Sequence, residues 1–233
     1  LRLAELRKKA YQAAGDHLGV ARCIEISLEA ELAAADRRHK LEELELVLEA
    51  EVNDPVRAYD ARLATIVSEP GESALVDAAE AAAKGYESRA RKLVAVLVSL
   101  GDRERDTELA VSLLRRASTL ARGVLGDDTL AIGIDLRLLS MGDQDPEVAR
   151  KAARELAQTL LTTGRDAERC QVLERLADLE EQPKAKREAL VEAARIAEES
   201  LQDPAKAAKL LSAWLELDPS DRTALDARVR NLR

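Results

Sequence analysis

The sequence contains the same kind of helical segment twice, 149 residues apart, each with a proline at its start and another proline after its end. Near the C-terminus, Asp203-Pro204 opens a segment that runs to Asp218-Pro219. Asp followed by Pro favours a helix start, because the carboxylate caps free N–H groups and Pro at the first helical position loses no hydrogen bond. Asp54-Pro55 opens the matching segment, and Pro70 again follows 15 residues after the first proline. We therefore expect a chain built from repeated helices.

Composition and periodicity favour helices along the whole chain. Ala, Leu, Glu and Arg dominate, aromatic residues make up 2% and Phe is absent, as is typical of helical proteins. Residues 93–98 (LVAVLV) form the one strand-like run, and they lie inside a longer helical pattern. Apolar residues recur at steps of three and four, as at Leu41, Leu44 and Leu48. The sequence predicts an all-α fold.

Prolines and glycines divide the chain into thirteen predicted helical segments. The predicted breaks lie near residues 15, 36, 54, 70, 86, 102, 126, 143, 165, 183, 203 and 219. The segments pair as 1–34, 37–68, 72–100, 104–140, 146–180 and 185–217, followed by one helix over 221–233. One amphipathic helix cannot bury its apolar face alone, so the pairs are expected to stack, with a period of roughly 37 residues.

The segment 188–221 resembles a tetratricopeptide repeat, a helix–turn–helix unit of about 34 residues. Pro219 falls on the closing proline of that family, Ala207 on the small residue between the two helices, and Leu211 on the large apolar position one turn later. The segment departs from the family at three positions: Trp214 replaces Ala, Arg195 replaces Gly and Val191 replaces Trp.

The segment 39–72 resembles the same family less closely. It keeps Ala58 and Pro70 but has Arg62 at the large apolar position. The resemblance implies a right-handed α-solenoid of about six helix–turn–helix repeats with a C-terminal capping helix, spanning 1–233 as a single domain. It also implies a non-enzymatic scaffold that binds a protein or peptide on the solenoid surface.

Charge argues against one class of partner, and cysteine content indicates the compartment. The net charge of −8 argues against nucleic acid, which requires a basic face. No apolar run approaches the ~20 residues of a membrane span, so no membrane partner is expected. Cys23 and Cys170 lie far apart, outside any metal-ligand spacing, and are interpreted as buried thiols in a reducing, cytoplasmic compartment. The chain begins at Leu1 rather than Met, which predicts a piece of a longer protein.

No constellation of catalytic residues is apparent in the sequence. His17 lies in a predicted turn and His39 in a charged run, and both are interpreted as solvated. Asp127-Asp128 lacks a third carboxylate at metal-binding spacing and is interpreted as a helix N-cap. A glycine-rich phosphate loop followed by Lys-Ser or Lys-Thr is absent. We therefore predict no enzyme activity, no catalytic or metal-binding residues, no cofactor and no small-molecule substrate.

A row of glutamates is the main candidate for partner binding. Glu42, Glu45 and Glu49, here called the acidic row, share one helical face at steps of three and four. They belong to residues 41–80, which carry eleven acidic residues against two arginines. Charge of one sign steers an oppositely charged partner, so a basic protein segment is the predicted ligand. The alternative is an ordinary solvated face.

Two aromatic residues add to the candidate binding surface. Tyr59 and Trp214 are either core residues between helices or exposed anchors for a partner, since Trp and Tyr are favoured at interfaces. Two other functions stay open beside the binding scaffold. The chain could be a structural spacer or oligomerisation arm of a larger assembly, or a regulatory domain of a larger enzyme.

Overall fold

The computed structural model describes residues 2–141 and 145–231, which are 81% helical and contain no strand. The predicted all-α fold is therefore confirmed. Val47–Glu51 continue α3 as a π-helical turn. The helices within the described residues are α1 (Arg2–Ala14), α2 (His17–Leu28), α3 (Ala34–Leu46), α4 (Pro55–Ser68), α5 (Ser73–Ala83), α6 (Glu87–Gly101), α7 (Thr107–Gly123), α8 (Asp128–Ser140), α9 (Pro146–Thr162), α10 (Asp166–Leu179), α11 (Pro183–Glu199), α12 (Pro204–Leu215) and α13 (Arg222–Asn231).

Aspartates cap the helices that the Asp-Pro pairs predict. Asp54 accepts a hydrogen bond from the backbone N–H of Arg57 at 3.1 Å, and Asp203 accepts one from Lys206 at 2.9 Å. Asp145 caps α9 in the same way, with Pro146 at the first helical position. Each carboxylate satisfies an N–H group that has no partner within the helix. The same local chemistry therefore starts α4, α9 and α12.

Some helix boundaries differ from the predicted ones for local reasons. Helix α3 begins at Ala34, before the predicted break near residue 36. Its N-cap Ala33 makes no side-chain cap, so the sequence does not mark this start. Pro219 lies in a turn, and α13 begins only after Asp221, whose carboxylate accepts a hydrogen bond from Ala224. The last two residues of the predicted helix over 221–233 lie outside the described residues.

The chain divides into two compact units, Leu1–Glu104 and Arg105–Arg233. The first unit contains α1–α6 and the second α7–α13. Within each unit, every helix packs against the next helix in the chain, which fits a helical repeat. One core of the first unit joins α2, α3, its π turn and α4, and the main core of the second unit joins α8–α13.

Ion pairs within each unit connect a helix to the second helix after it. In the first unit these pairs are Lys8–Glu43, Lys40–Glu5, Arg57–Glu25 and Lys92–Asp60, with partners 32 to 35 residues apart. In the second unit they include Lys206–Glu174 and Arg230–Glu198, both 32 residues apart. Arg187 of α11 likewise pairs with Asp221, which directly precedes α13 and lies 34 residues away. Partly exposed pairs contribute only about 0–1 kcal/mol each. The buried core of each unit therefore provides most of its stability, and the ion pairs show that alternate helices lie at a repeated spacing in the sequence.

Candidate functional site

A groove with a cavity volume of about 420 Å³ lies between α1 and α2 of the first unit. Much of its apolar lining faces solvent, with Leu3 62%, Leu18 42% and Ile26 54% exposed. The lining consists of Leu3, Ala4, Arg7, Tyr11, Asp16, Leu18, Gly19, Arg22, Cys23 and Ile26. Single exposed apolar residues are ordinary, but several converging on one concavity are typical of a binding surface.

The turn between the two helices sets the shape of this α1–α2 groove. Gly15 takes a φ of +69°, a conformation that favours glycine. Asp16 then caps α2 by accepting a hydrogen bond from the N–H of Gly19 at 2.8 Å. A Cβ atom at Gly19 would lie 2.6 Å from the ring of Tyr11. The missing side chain therefore lets the tyrosine ring lie directly against α2 and form a wall of the groove.

The charged side chains that line the α1–α2 groove are two arginines and one aspartate, so its lining is net positive. Arg7 and Arg22 line it, are exposed, and make no hydrogen bond or ion pair with the described part of the chain. The carboxylates of Glu5 and Glu25, on the same two helices, are bound by a lysine of α3 and an arginine of α4. The lysine's hydrogen bond is the main cause that lowers the pKa of Glu5. The groove therefore carries two arginines free to meet an anionic group.

The acidic row is partly neutralised by arginines of the same unit. Glu42 accepts a hydrogen bond from Arg38 Nε at 2.8 Å, and Glu45 accepts one from Arg62 Nε at 2.8 Å. Glu45 is also mostly covered, with 16% of its side chain exposed. Glu49 lies on the π turn and is exposed. The binding of a basic segment to this row stays a prediction, and the exposed Glu49 is its most accessible member.

Tyr59 is a core residue, so of its two alternatives the exposed anchor for a partner is wrong. Only 4% of it is exposed, and its hydroxyl donates a hydrogen bond to the carbonyl oxygen of Ala79 at 3.2 Å. The guanidinium of Arg89 lies 5.3 Å from the ring centre. Burial raises the pKa of Tyr59 to about 12. Its ring therefore joins α4 to α5 and α6 and offers no surface to a partner.

Trp214 needs the same correction. It is 4% exposed and belongs to the core of the second unit. Its indole Nε1–H donates to Asp221 Oδ2 at 3.0 Å, and the Arg187 guanidinium lies 5.8 Å from the ring centre. The backbone N–H of Ala224, the indole and Arg187 together lower the pKa of Asp221. Trp214 therefore joins α12 to the start of α13.

The residues assigned to repeat packing occupy two kinds of position. Ala58 is 3% exposed, Ala207 is fully buried and Leu211 is 4% exposed. Pro70 and Pro219 lie in the turns that follow α4 and α12. The three buried residues therefore contribute to the unit cores, while the two prolines separate consecutive helices.

The second unit also contains a hydrogen-bond network around one buried aspartate. Asp135 is fully buried, accepts a hydrogen bond from Ser118 Oγ at 2.5 Å and pairs with Arg122. Burial raises the pKa of Asp135 despite both partners, because desolvation disfavours the charged carboxylate. The network joins α7 to α8, and its carboxylate is closed to solvent.

The remaining candidates for chemistry fall on caps and surfaces. Asp127 caps α8 by accepting a hydrogen bond from Leu130 at 3.0 Å, which confirms the predicted N-cap. His17 lies 3.6 Å from Glu51, with both side chains about half exposed. Within residues 2–141 and 145–231, no group of three or more His, Cys, Asp or Glu is arranged to hold a metal ion. The helices of these residues are all too short or too polar to cross a membrane.

The sequence matches no protein-family model and no curated protein. The resemblance to tetratricopeptide repeats therefore rests on the residues of segments 188–221 and 39–72, and it stays a prediction.

Proposed function

We propose that this chain is a non-enzymatic scaffold that binds a protein or peptide partner. The α1–α2 groove carries the proposal. Its volume of about 420 Å³ gives room for side chains of a partner. Four large apolar side chains that line it are exposed: Leu3, Tyr11, Leu18 and Ile26. A partner that covers them removes apolar surface from water, which contributes roughly 25 cal/mol per Å².

The proposal includes the finer architecture implied by the resemblance. A right-handed, tetratricopeptide-like α-solenoid of about six repeats, closed by α13, is supported by consecutive helix packing within each unit. It is also supported by ion pairs 32 to 35 residues apart, since a tetratricopeptide repeat is about 34 residues long. A cytoplasmic location belongs to the same proposal and is supported by the two buried free cysteines.

A spacer or oligomerisation arm is the main competing function. A spacer does not require an exposed apolar groove, and such a surface would promote unwanted association. The α1–α2 groove therefore favours binding over spacing.

Selection of ligands from a displayed library of helical peptides tests the proposed function. The double variant Leu18→Asn/Ile26→Asn removes apolar surface from the groove, at positions that are 42% and 54% exposed. The control variant Leu46→Asn/Val67→Asn makes the same kind of change at exposed positions outside the groove, which are 67% and 53% exposed. We expect selected ligands to bind the wild type and the control but to lose affinity for the groove variant. Ligands that bind all three proteins equally, or no ligands at all, would contradict the proposal.

A further inference from the structure

We propose that the α1–α2 groove takes an amphipathic α-helix that carries acidic residues beside its apolar face. This inference rests on the proposed function and names the chemistry of its partner. The apolar side chains of the partner would lie against Leu3, Leu18 and Ile26, and its carboxylates would meet Arg7 and Arg22.

The length and lining of the groove fit a helix. The α1 residues that line the groove run from Leu3 to Tyr11 and so span roughly 12 Å at 1.5 Å per residue. A partner helix of similar length presents apolar residues at positions i, i+3, i+4 and i+7, the usual anchors of a helix in a groove. Leu3 and Tyr11 of α1, with Leu18 and Ile26 of α2, supply apolar surface on both walls.

The charges of the groove select an acidic partner. Asp16 is the one carboxylate in the lining, and its Oδ1 is already engaged in capping α2. Covering Arg7 and Arg22 with a purely apolar partner would strip water from two unpaired guanidinium groups, which is costly. Glutamate or aspartate can instead bind the guanidinium through paired, charge-assisted hydrogen bonds. Charge of opposite sign also raises the association rate, whereas a basic helix would be repelled.

Other occupants fit the groove less well. A bilayer surface is wide and nearly flat, and it cannot enter a concavity of about 420 Å³. A second copy of this chain would need to offer an exposed apolar helix with free carboxylates. Helix α13 exposes Leu225 and Val229, but it carries three arginines against one aspartate. Its positive charge would therefore repel the arginines of the groove.

Two synthetic peptides of about 18 residues test the inference directly. Both carry leucine at every third or fourth position; one has glutamate and the other lysine at the remaining charged positions. Binding to the intact chain is measured by fluorescence anisotropy at low salt. We expect the glutamate peptide to bind the wild type. The variant Arg7→Glu/Arg22→Glu should weaken this binding roughly tenfold or more, and added salt should weaken binding to the wild type.

A matched charge reversal controls for net charge. Lys184→Glu/Lys209→Glu changes two exposed lysines of the second unit by the same total charge, and we expect it to leave the affinity unchanged. Ile26→Asn should weaken binding without changing charge, which separates the apolar contribution from the electrostatic one. Circular dichroism confirms that each variant keeps its helical content.

Several outcomes would overturn the inference. These are absence of binding by the glutamate peptide below about 1 mM, equal or tighter groove-dependent binding of the lysine peptide, and unchanged affinity in Arg7→Glu/Arg22→Glu. Preference for anionic phospholipid vesicles, or self-association that Ile26→Asn abolishes in sedimentation, would assign the groove to a membrane or to a second copy. Groove-dependent ligands that are not acidic would refute this inference alone, whereas absence of any groove-dependent ligand would refute the proposed function.

Discussion

Replacing Ala207 by leucine should overpack the contact between α11 and α12. Ala207 is fully buried and shares its core with Ala193 and Ala197 of α11, which are also fully buried. Small residues on both helices indicate a close approach of the two backbones. Three additional carbon atoms would gain about 2 kcal/mol if they found empty space. Because Ala207 is fully buried at this close contact, we expect side chains and backbone to shift, with a net loss of roughly 1–3 kcal/mol.

Tryptophan fluorescence provides a local assay of this loss. Trp214 is the one tryptophan of the chain and lies in the same core as Ala207. Its emission during urea unfolding therefore reports on the second unit. The midpoint should fall without a change in slope. In heating experiments, each kcal/mol should lower Tm by roughly 3–5 °C for a unit of this size.

Ala205→Leu is the matched control, since Ala205 is exposed on the same helix. We expect it to change the free energy of unfolding by less than about 0.5 kcal/mol. Equal midpoints for Ala207→Leu, Ala205→Leu and wild type would show that residue 207 does not lie at a tight helix contact. The packing described for α11 and α12 would then be wrong.

Two further predictions concern the acidic row and the start of α13. Reversing the whole acidic row to lysine should weaken capture of the lysine peptide. Glu45→Lys alone should lower Tm because Glu45 accepts a hydrogen bond from an arginine of α4, whereas Glu49→Lys should leave Tm unchanged because Glu49 is exposed. Undiminished capture would leave the row as a solvated face. Hydrogen bonds from Ala224 N–H and two side chains lower the folded-state pKa of Asp221, so its stabilisation exists above the unfolded value of about 3.9 and is lost as pH falls through the folded value. Urea unfolding followed by Trp214 fluorescence should therefore show Asp221→Asn less stable than wild type at pH 7, with the gap closing in acid; a pH-independent gap would contradict this sign.

The helices could be predicted because their signals are local. Asp54-Pro55, Asp145-Pro146 and Asp203-Pro204 each combine a cap with a favourable first residue, and each starts a helix in the structure. The start of α3 at Ala34 could not be predicted, because Ala33 carries no capping side chain that would mark it in the sequence. The π turn at Val47–Glu51 leaves no comparable mark in the sequence, since it depends on which carbonyl each N–H meets.

The candidate site was largely beyond prediction because it depends on what covers each helix face. Periodicity identifies an apolar face, but it cannot show that Leu18 and Ile26 stay exposed while Tyr59 and Trp214 are buried. The acidic row is visible in the sequence, yet the arginine that binds Glu45 lies 17 residues away on the next helix. Such pairings arise only once neighbouring helices are packed.

Hydrogen exchange measured by mass spectrometry, with and without the glutamate peptide, tests the proposed binding surface most directly. Ligand binding slows the local opening that allows amide exchange. We expect added protection confined to peptides from α1 and α2, with α7–α13 unchanged. We also expect this protection to disappear in the Leu18→Asn/Ile26→Asn variant. Protection centred on any other helices, or unchanged exchange in α1 and α2 when the peptide is bound, would contradict a binding site at the α1–α2 groove.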